Sequence, residues 1–214
     1  NKKTSQTTQN YFFQFESSCQ GKESNRKKTG YEYAADIDEI CTLLKISTNA
    51  FQAVVLSSVV PELTGSFKEA AEILRIKECF IVNSENVSAL SFSSGVPEEV
   101  GPDLIVSAVA AKKLYPLPAI IIDMGTASTL TVVSKEGIFM GGVILPGVGI
   151  SMNALAKETS LLPSIDVAPA KKLISLNTVD AMRSGIIYGT AGSLDGIIDR
   201  FLNELGENAS LLAT

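Results

Sequence analysis

One stretch constrains this chain more than any other: Pro118-Ala-Ile-Ile-Ile-Asp123-Met-Gly125-Thr126-Ala-Ser-Thr129-Leu-Thr-Val-Val133. Ile120, Ile121 and Ile122 are β-branched and carry no helical spacing, so the run predicts a strand. Asp123 is the first charge after five apolar residues, which puts it where a buried strand reaches the surface. Gly125 opens backbone angles closed to other residues. Thr126, Ser128 and Thr129 add hydroxyls, and a second β-prone run follows. An ordinary β-hairpin uses the same residue types in its turn. The order Asp-x-Gly-Thr-x-x-Thr behind a wholly apolar strand also suits a site for phosphate and a cation, with backbone N–H groups facing the anion. A P-loop would need Gly-Lys-Ser/Thr entering a helix, and the chain has none.

What the chain lacks narrows its chemistry further. It has no histidine, so a Ser-His-Asp triad, a Cys-His pair and a His-ligated zinc are all excluded. Acid–base work falls to carboxylates, Lys, Tyr or Cys. The net charge of −5 argues against a nucleic-acid partner held by phosphate neutralisation. No apolar run approaches the roughly 20 residues of a membrane span. The three cysteines, Cys19, Cys41 and Cys79, are widely spaced and odd in number, which fits a reducing, cytoplasmic setting. With 45% hydrophobic and 19% charged residues over 214 positions, the chain can bury one large core or two small ones.

Residues 1–29 are polar apart from Tyr11-Phe-Phe-Gln-Phe15, which reads as an edge strand, and residues 20–29 read as a loop. Ala34, Ile37, Ile40, Cys41 and Leu44 predict a helix over 31–45. Ala53–Ser58 reads as a strand, Pro61 opens a helix, and Cys79–Val82 is a second strand. Residues 83–100 are irregular, with weak strand character at 87–92. A helix is predicted from Asp103 to Tyr115, with Asp103 capping its start. After the Asp123 hairpin, Gly137–Gly142 continues the meander and Val143–Gly147 leads out. Helices are predicted over 149–158 and from Thr178 to Leu205. The glycines of the second one (Gly185, Gly189, Gly192, Gly196) suit close packing on another helix, of the same chain or of a second subunit. Leu211–Thr214 enters a further element. Strand–helix alternation, then a meander, then helices indicates an α/β fold.

Several short motifs stand in a definite order: Thr29-Gly-Tyr-Glu-Tyr-Ala34, Ser57-Ser-Val-Val-Pro61, Glu99-Val-Gly-Pro-Asp103, Asp123-Met-Gly-Thr-Ala127, Gly141-Gly-Val-Ile-Leu-Pro-Gly147, Leu161-Leu-Pro163 and Asn177-Thr-Val-Asp-Ala-Met-Arg-Ser-Gly185. Each alone is a turn, a cap or a helix start. Together they resemble the type III pantothenate kinases, part of the superfamily that joins acetate and sugar kinases to heat-shock chaperones and actin.

The resemblance implies a duplicated, actin-like (ribonuclease H-like) α/β fold, with one half over 1–117 and the other over 118–214. It implies phosphorylation of pantothenate by ATP, the first step of coenzyme A synthesis, with Mg²⁺ and a monovalent cation (K⁺ or NH₄⁺), by a cytoplasmic homodimer. On the matching positions, Asp103 is the general base and Asp123 the ligand of the monovalent cation. Gly125, Thr126 and Thr129 bind nucleotide. Gly101, Pro102, Asp103, Leu104 and Thr178 line the pantothenate site. Three departures accompany the match. The family's first phosphate motif, Asp-x-Gly-Asn-Thr, and its C-terminal Thr-Gly-Gly segment are not found, so native sequence is expected beyond one or both ends. Leu104 stands where the family usually has arginine. These departures keep two alternatives in view: a non-catalytic regulatory homologue of the transcriptional accessory-factor type, and another small-molecule kinase of the superfamily.

Overall fold

The computed structural model describes residues 28–93, 95 and 97–214. The expected strand at Tyr11–Phe15 and most of the 20–29 loop lie outside them.

Among the described residues, the first unit is built from two helices and two strands. Helix α1 (Gly30–Leu43) starts at a capping box: the Thr29 hydroxyl accepts from the Glu32 N–H at 3.3 Å, and the Glu32 carboxylate accepts from the Thr29 N–H at 2.8 Å. Strand β1 (Ala53–Leu56) leads to helix α2 (Pro61–Ile73), with Pro61 in its first turn. Strand β2 (Glu78–Ile81) pairs parallel with β1. Tyr33, Ala34 and Ala70 form a small buried cluster between α1 and α2, with the Tyr33 and Phe67 rings stacked at 4.2 Å.

A five-stranded mixed sheet makes the second unit. Its strands are β3 (Ser91–Phe92), β4 (Ala119–Met124), β5 (Ala127–Val133), β6 (Ile138–Pro146) and β7 (Ser210–Ala213), in the order β3-β6-β5-β4-β7. The β4-β5-β6 meander is antiparallel, and β3 and β7 add in parallel at the two edges. Helix α3 (Pro102–Leu114) precedes β4; helices α4 (Val148–Glu158) and α5 (Thr178–Leu205) separate β6 from β7.

Side chains alternate across a strand, so each face of the sheet has its own partner. On one face Ala119, Ile121, Val133 and Phe139 bury against Ile105, Ala108 and Ala111 of α3. On the other face Ser128 and Val132 line clefts completed by α5. β3 and α3, though they precede residue 118, both belong to this second unit.

The α/β reading holds, with four local differences. β6 runs unbroken from Ile138 to Pro146 instead of ending at Gly142, because a bulge absorbs the irregularity: Val132 pairs with Gly141 and Val133 with Phe139, leaving Met140 unpaired. The strand over 87–92 shrinks to Ser91–Phe92. Upstream, the Asn83 side chain accepts from the N–H groups of Glu85 and Asn86, and the Leu90 N–H turns back to Val87. The segment at Leu211 is itself a strand, β7, lying beside β4. Asp103 does not cap α3: Gly101 holds that position, and Asp103 lies inside the first turn.

Candidate active site

The β4–β5 hairpin makes the first half of the site. Asp123 lies directly across from Thr129 in the antiparallel register, two residues along from the Ile121–Thr131 pair. Both therefore share the face that α3 packs on, since Ile121 and Val133 do. Gly125 and Thr126 form the exposed tip, where the Gly125 N–H donates to the Ala127 carbonyl at 3.1 Å.

The end of β6 clamps this tip. The Gly147 N–H donates to the Thr126 carbonyl at 3.2 Å. A Cβ at Gly147 would overlap the carbonyl oxygens of both Gly125 and Thr126. Only glycine lets the Pro146–Gly147 segment lie this close, which accounts for that motif after β6. Gly147 is also the N-cap of α4, so a helix begins where the tip is held.

Two buried hydroxyls in this hairpin have no partner: Ser128 Oγ and Thr129 Oγ1. They point to opposite faces. Thr129 Oγ1 is on the Asp123 side, and a carboxylate beside an unpartnered hydroxyl oxygen is a donor set that suits a monovalent cation. Ser128 faces the α4–α5 side, into a cleft of about 220 Å³ lined also by Pro146, Ser151, Gly189 and Thr190.

The second half of the site is the start of α3. Gly101, Pro102, Asp103 and Leu104 are consecutive there, with Pro102 in the first turn and no side chain capping the N-terminus. Asp103 is exposed. A Cβ at Gly101 would sit 2.5 Å from Asp103 Oδ1, so glycine at 101 lets the carboxylate fold back over the helix start. Leu104 is half-buried against the core that joins α3 to the sheet, so this position serves packing.

Thr178 stands elsewhere. It is the exposed first residue of α5, behind Asn177, whose side chain accepts from the Asp180 N–H at 2.8 Å. α5 lies on the face of the sheet opposite α3. The structure thus gathers Asp123, Gly125, Thr126 and Thr129 at one hairpin and Gly101–Leu104 at one helix start, and it leaves Thr178 on the far face. Sequence reasoning gave no role to Val59, which lies against Gly101: its Cγ1 is 3.9 Å from where a Gly101 Cβ would be. The signal was present in the Ser57–Pro61 motif, but no spacing ties that motif to Asp103.

Among the described residues, no group of three or more His, Cys, Asp or Glu is placed to hold a metal ion, and no helix is long and apolar enough to cross a membrane.

Comparison with known proteins bears on the same motifs. The family profile of the type III pantothenate kinases matches residues 5–200. The type III pantothenate kinase of Dictyoglomus turgidum is 38% identical over 192 residues, covering 90% of this chain and 75% of that protein. The Moorella thermoacetica enzyme of the same name is 36% identical over 191 residues (89% and 75%), and the Rubrobacter xylanophilus one 42% over 176 (81% and 66%). The match spans both halves of the candidate site, and this chain belongs to the type III pantothenate kinase family.

Proposed function

We propose that this protein transfers the γ-phosphoryl group of ATP to the primary hydroxyl of pantothenate, giving 4'-phosphopantothenate at the entry to coenzyme A synthesis. The observation that carries this reading is the placement of Asp103 at the start of α3, the helix that packs on the sheet face carrying Asp123 and Thr129. Phosphoryl transfer needs alignment and charge neutralisation more than covalent chemistry. Asp103, exposed and folded back from the helix axis, accepts the proton of the attacking hydroxyl. Gly125 and Thr126 hold phosphate oxygens through the tip's backbone and hydroxyl groups. Asp123 and Thr129 would hold the monovalent cation, K⁺ or NH₄⁺, which supplies positive charge beside the phosphates. Mg²⁺ would be held mainly by the nucleotide's phosphates and waters, with few protein carboxylates needed.

The duplicated actin-like architecture, with halves at 1–117 and 118–214, belongs to the same reading, with β3 and α3 of the first half packing on the sheet of the second. So do the homodimer and the cytoplasmic setting. Thr178, on the far face of the sheet, fits a pantothenate contact made across such a dimer.

The test is ATP consumption with pantothenate and K⁺. Asp103→Asn is expected to lower kcat by about 10²–10⁴-fold, the usual range for a lost general base, with the thermal unfolding curve unchanged. Full activity in that variant would remove Asp103 from the chemistry. No turnover by the folded parent protein would refute the kinase reading itself.

A further inference from the structure

Resting on that reading, we infer that Val59 is the apolar wall of the acceptor site and recognises the two methyl groups of pantothenate beside the reacting hydroxyl. The argument begins with the turn that carries it. Ser58 Oγ accepts from the Val60 N–H at 3.2 Å and lies 3.2 Å from the Val60 carbonyl, and Thr64 Oγ1 donates to the same carbonyl at 3.4 Å. Pro61 then starts α2 with its backbone fixed. Residues 58–61 are therefore a rigid corner, yet Val59 at its apex is 63% exposed. A fixed, exposed, β-branched side chain there contributes little to the core.

Its neighbour supplies the purpose. Val59 faces Gly101, and Gly101 in turn carries the Asp103 carboxylate folded over it. With no side chain at 101, the valine methyl and the Asp103 carboxylate both border the spot a Cβ would fill. The surface therefore presents an apolar group and a proton acceptor within about one residue's width of each other. The acceptor end of pantothenate has the matching pattern: a primary alcohol on a CH₂ attached to a carbon bearing two methyls. When the hydroxyl meets Asp103, the dimethyl carbon two bonds further on meets Val59.

The experiment pairs a change in the protein with a change in the acceptor. Pantothenate is compared with its analogue lacking both methyls, N-(2,4-dihydroxybutanoyl)-β-alanine, in the parent protein, Val59→Ala and Val59→Thr. The parent is expected to favour pantothenate in kcat/KM by about tenfold or more, the scale of a methyl-sized contact in an apolar site. Val59→Ala should shrink that preference to within about twofold, because the wall and the methyls act as a coupled pair. Val59→Thr, which keeps the shape and swaps one methyl for a hydroxyl, should fall between. The KM for ATP should not move, a result that a merely structural role for Val59 would not give. An unchanged preference in Val59→Ala, with kcat still lowered in Asp103→Asn, would overturn the role of Val59 and leave the kinase reading standing. Absence of pantothenate turnover in the parent would overturn both.

Discussion

At the scale of single residues, the site depends on two glycines whose missing Cβ atoms do different jobs. Gly101 leaves room for a carboxylate to fold back, and Gly147 leaves room for a backbone to press on a backbone. The second is the less forgiving, because two carbonyl oxygens cannot step aside as a flexible side chain can. Gly147→Ala is expected to destabilise the protein by about 1–3 kcal/mol, the usual cost of overpacking a fixed site. It should also raise the KM for ATP, since the tip at Gly125–Thr126 loses its clamp. Urea unfolding and ATP saturation curves check the two effects separately. The sequence motif Pro146–Gly147 announced a turn; it could not announce that the turn lands on residues 125 and 126. That contact spans some twenty positions of chain and exists only once β5 and β6 are paired.

Helices and strands were legible in proportion to how local their causes are. The hairpin around Asp123 was readable because β-branched runs, a lone carboxylate and a glycine all act within a few residues. The body of α1 was readable from the spacing of its apolar residues, while its start, set by the Thr29–Glu32 capping box, was not read. The extent of β6 was not, since its continuation past Gly142 depends on a bulge opposite Val132 and Val133. The role of Asp103 at its helix was half right: the residue is in the first turn, but Gly101 holds the cap position. α5 gives the sharpest contrast. Its glycines suggested close packing on a neighbouring helix, yet a Cβ at Gly185, Gly189 or Gly192 would meet nothing within 4 Å. Within one chain they therefore carry only the entropic cost of glycine in a helix. Gly189→Ala is expected to stabilise the isolated chain by about 0.5–1 kcal/mol, measured as a higher urea midpoint at low protein concentration.

On the scale of the whole molecule, the described residues form two hydrophobic clusters of unequal size. The α1–α2 cluster has three buried residues, and the cluster between α3 and the sheet has nine. Among the described residues the β1–β2 sheet has two strands, with Val55 and Phe80 exposed. Local opening follows local burial, so hydrogen exchange should release the β1–β2 amides well before those of β4 and β5. Equal protection in both places would mean that the two units open as one. The sheet itself divides the labour of the protein. Asp123 and Thr129 look toward the helix that carries Asp103, while Ser128, their immediate neighbour, looks toward α5. Odd positions of β4 and β5 therefore face α3, and even positions face α5. The strand is an interleaved text written for two readers. A substitution moved by a single place along it changes which of them is affected.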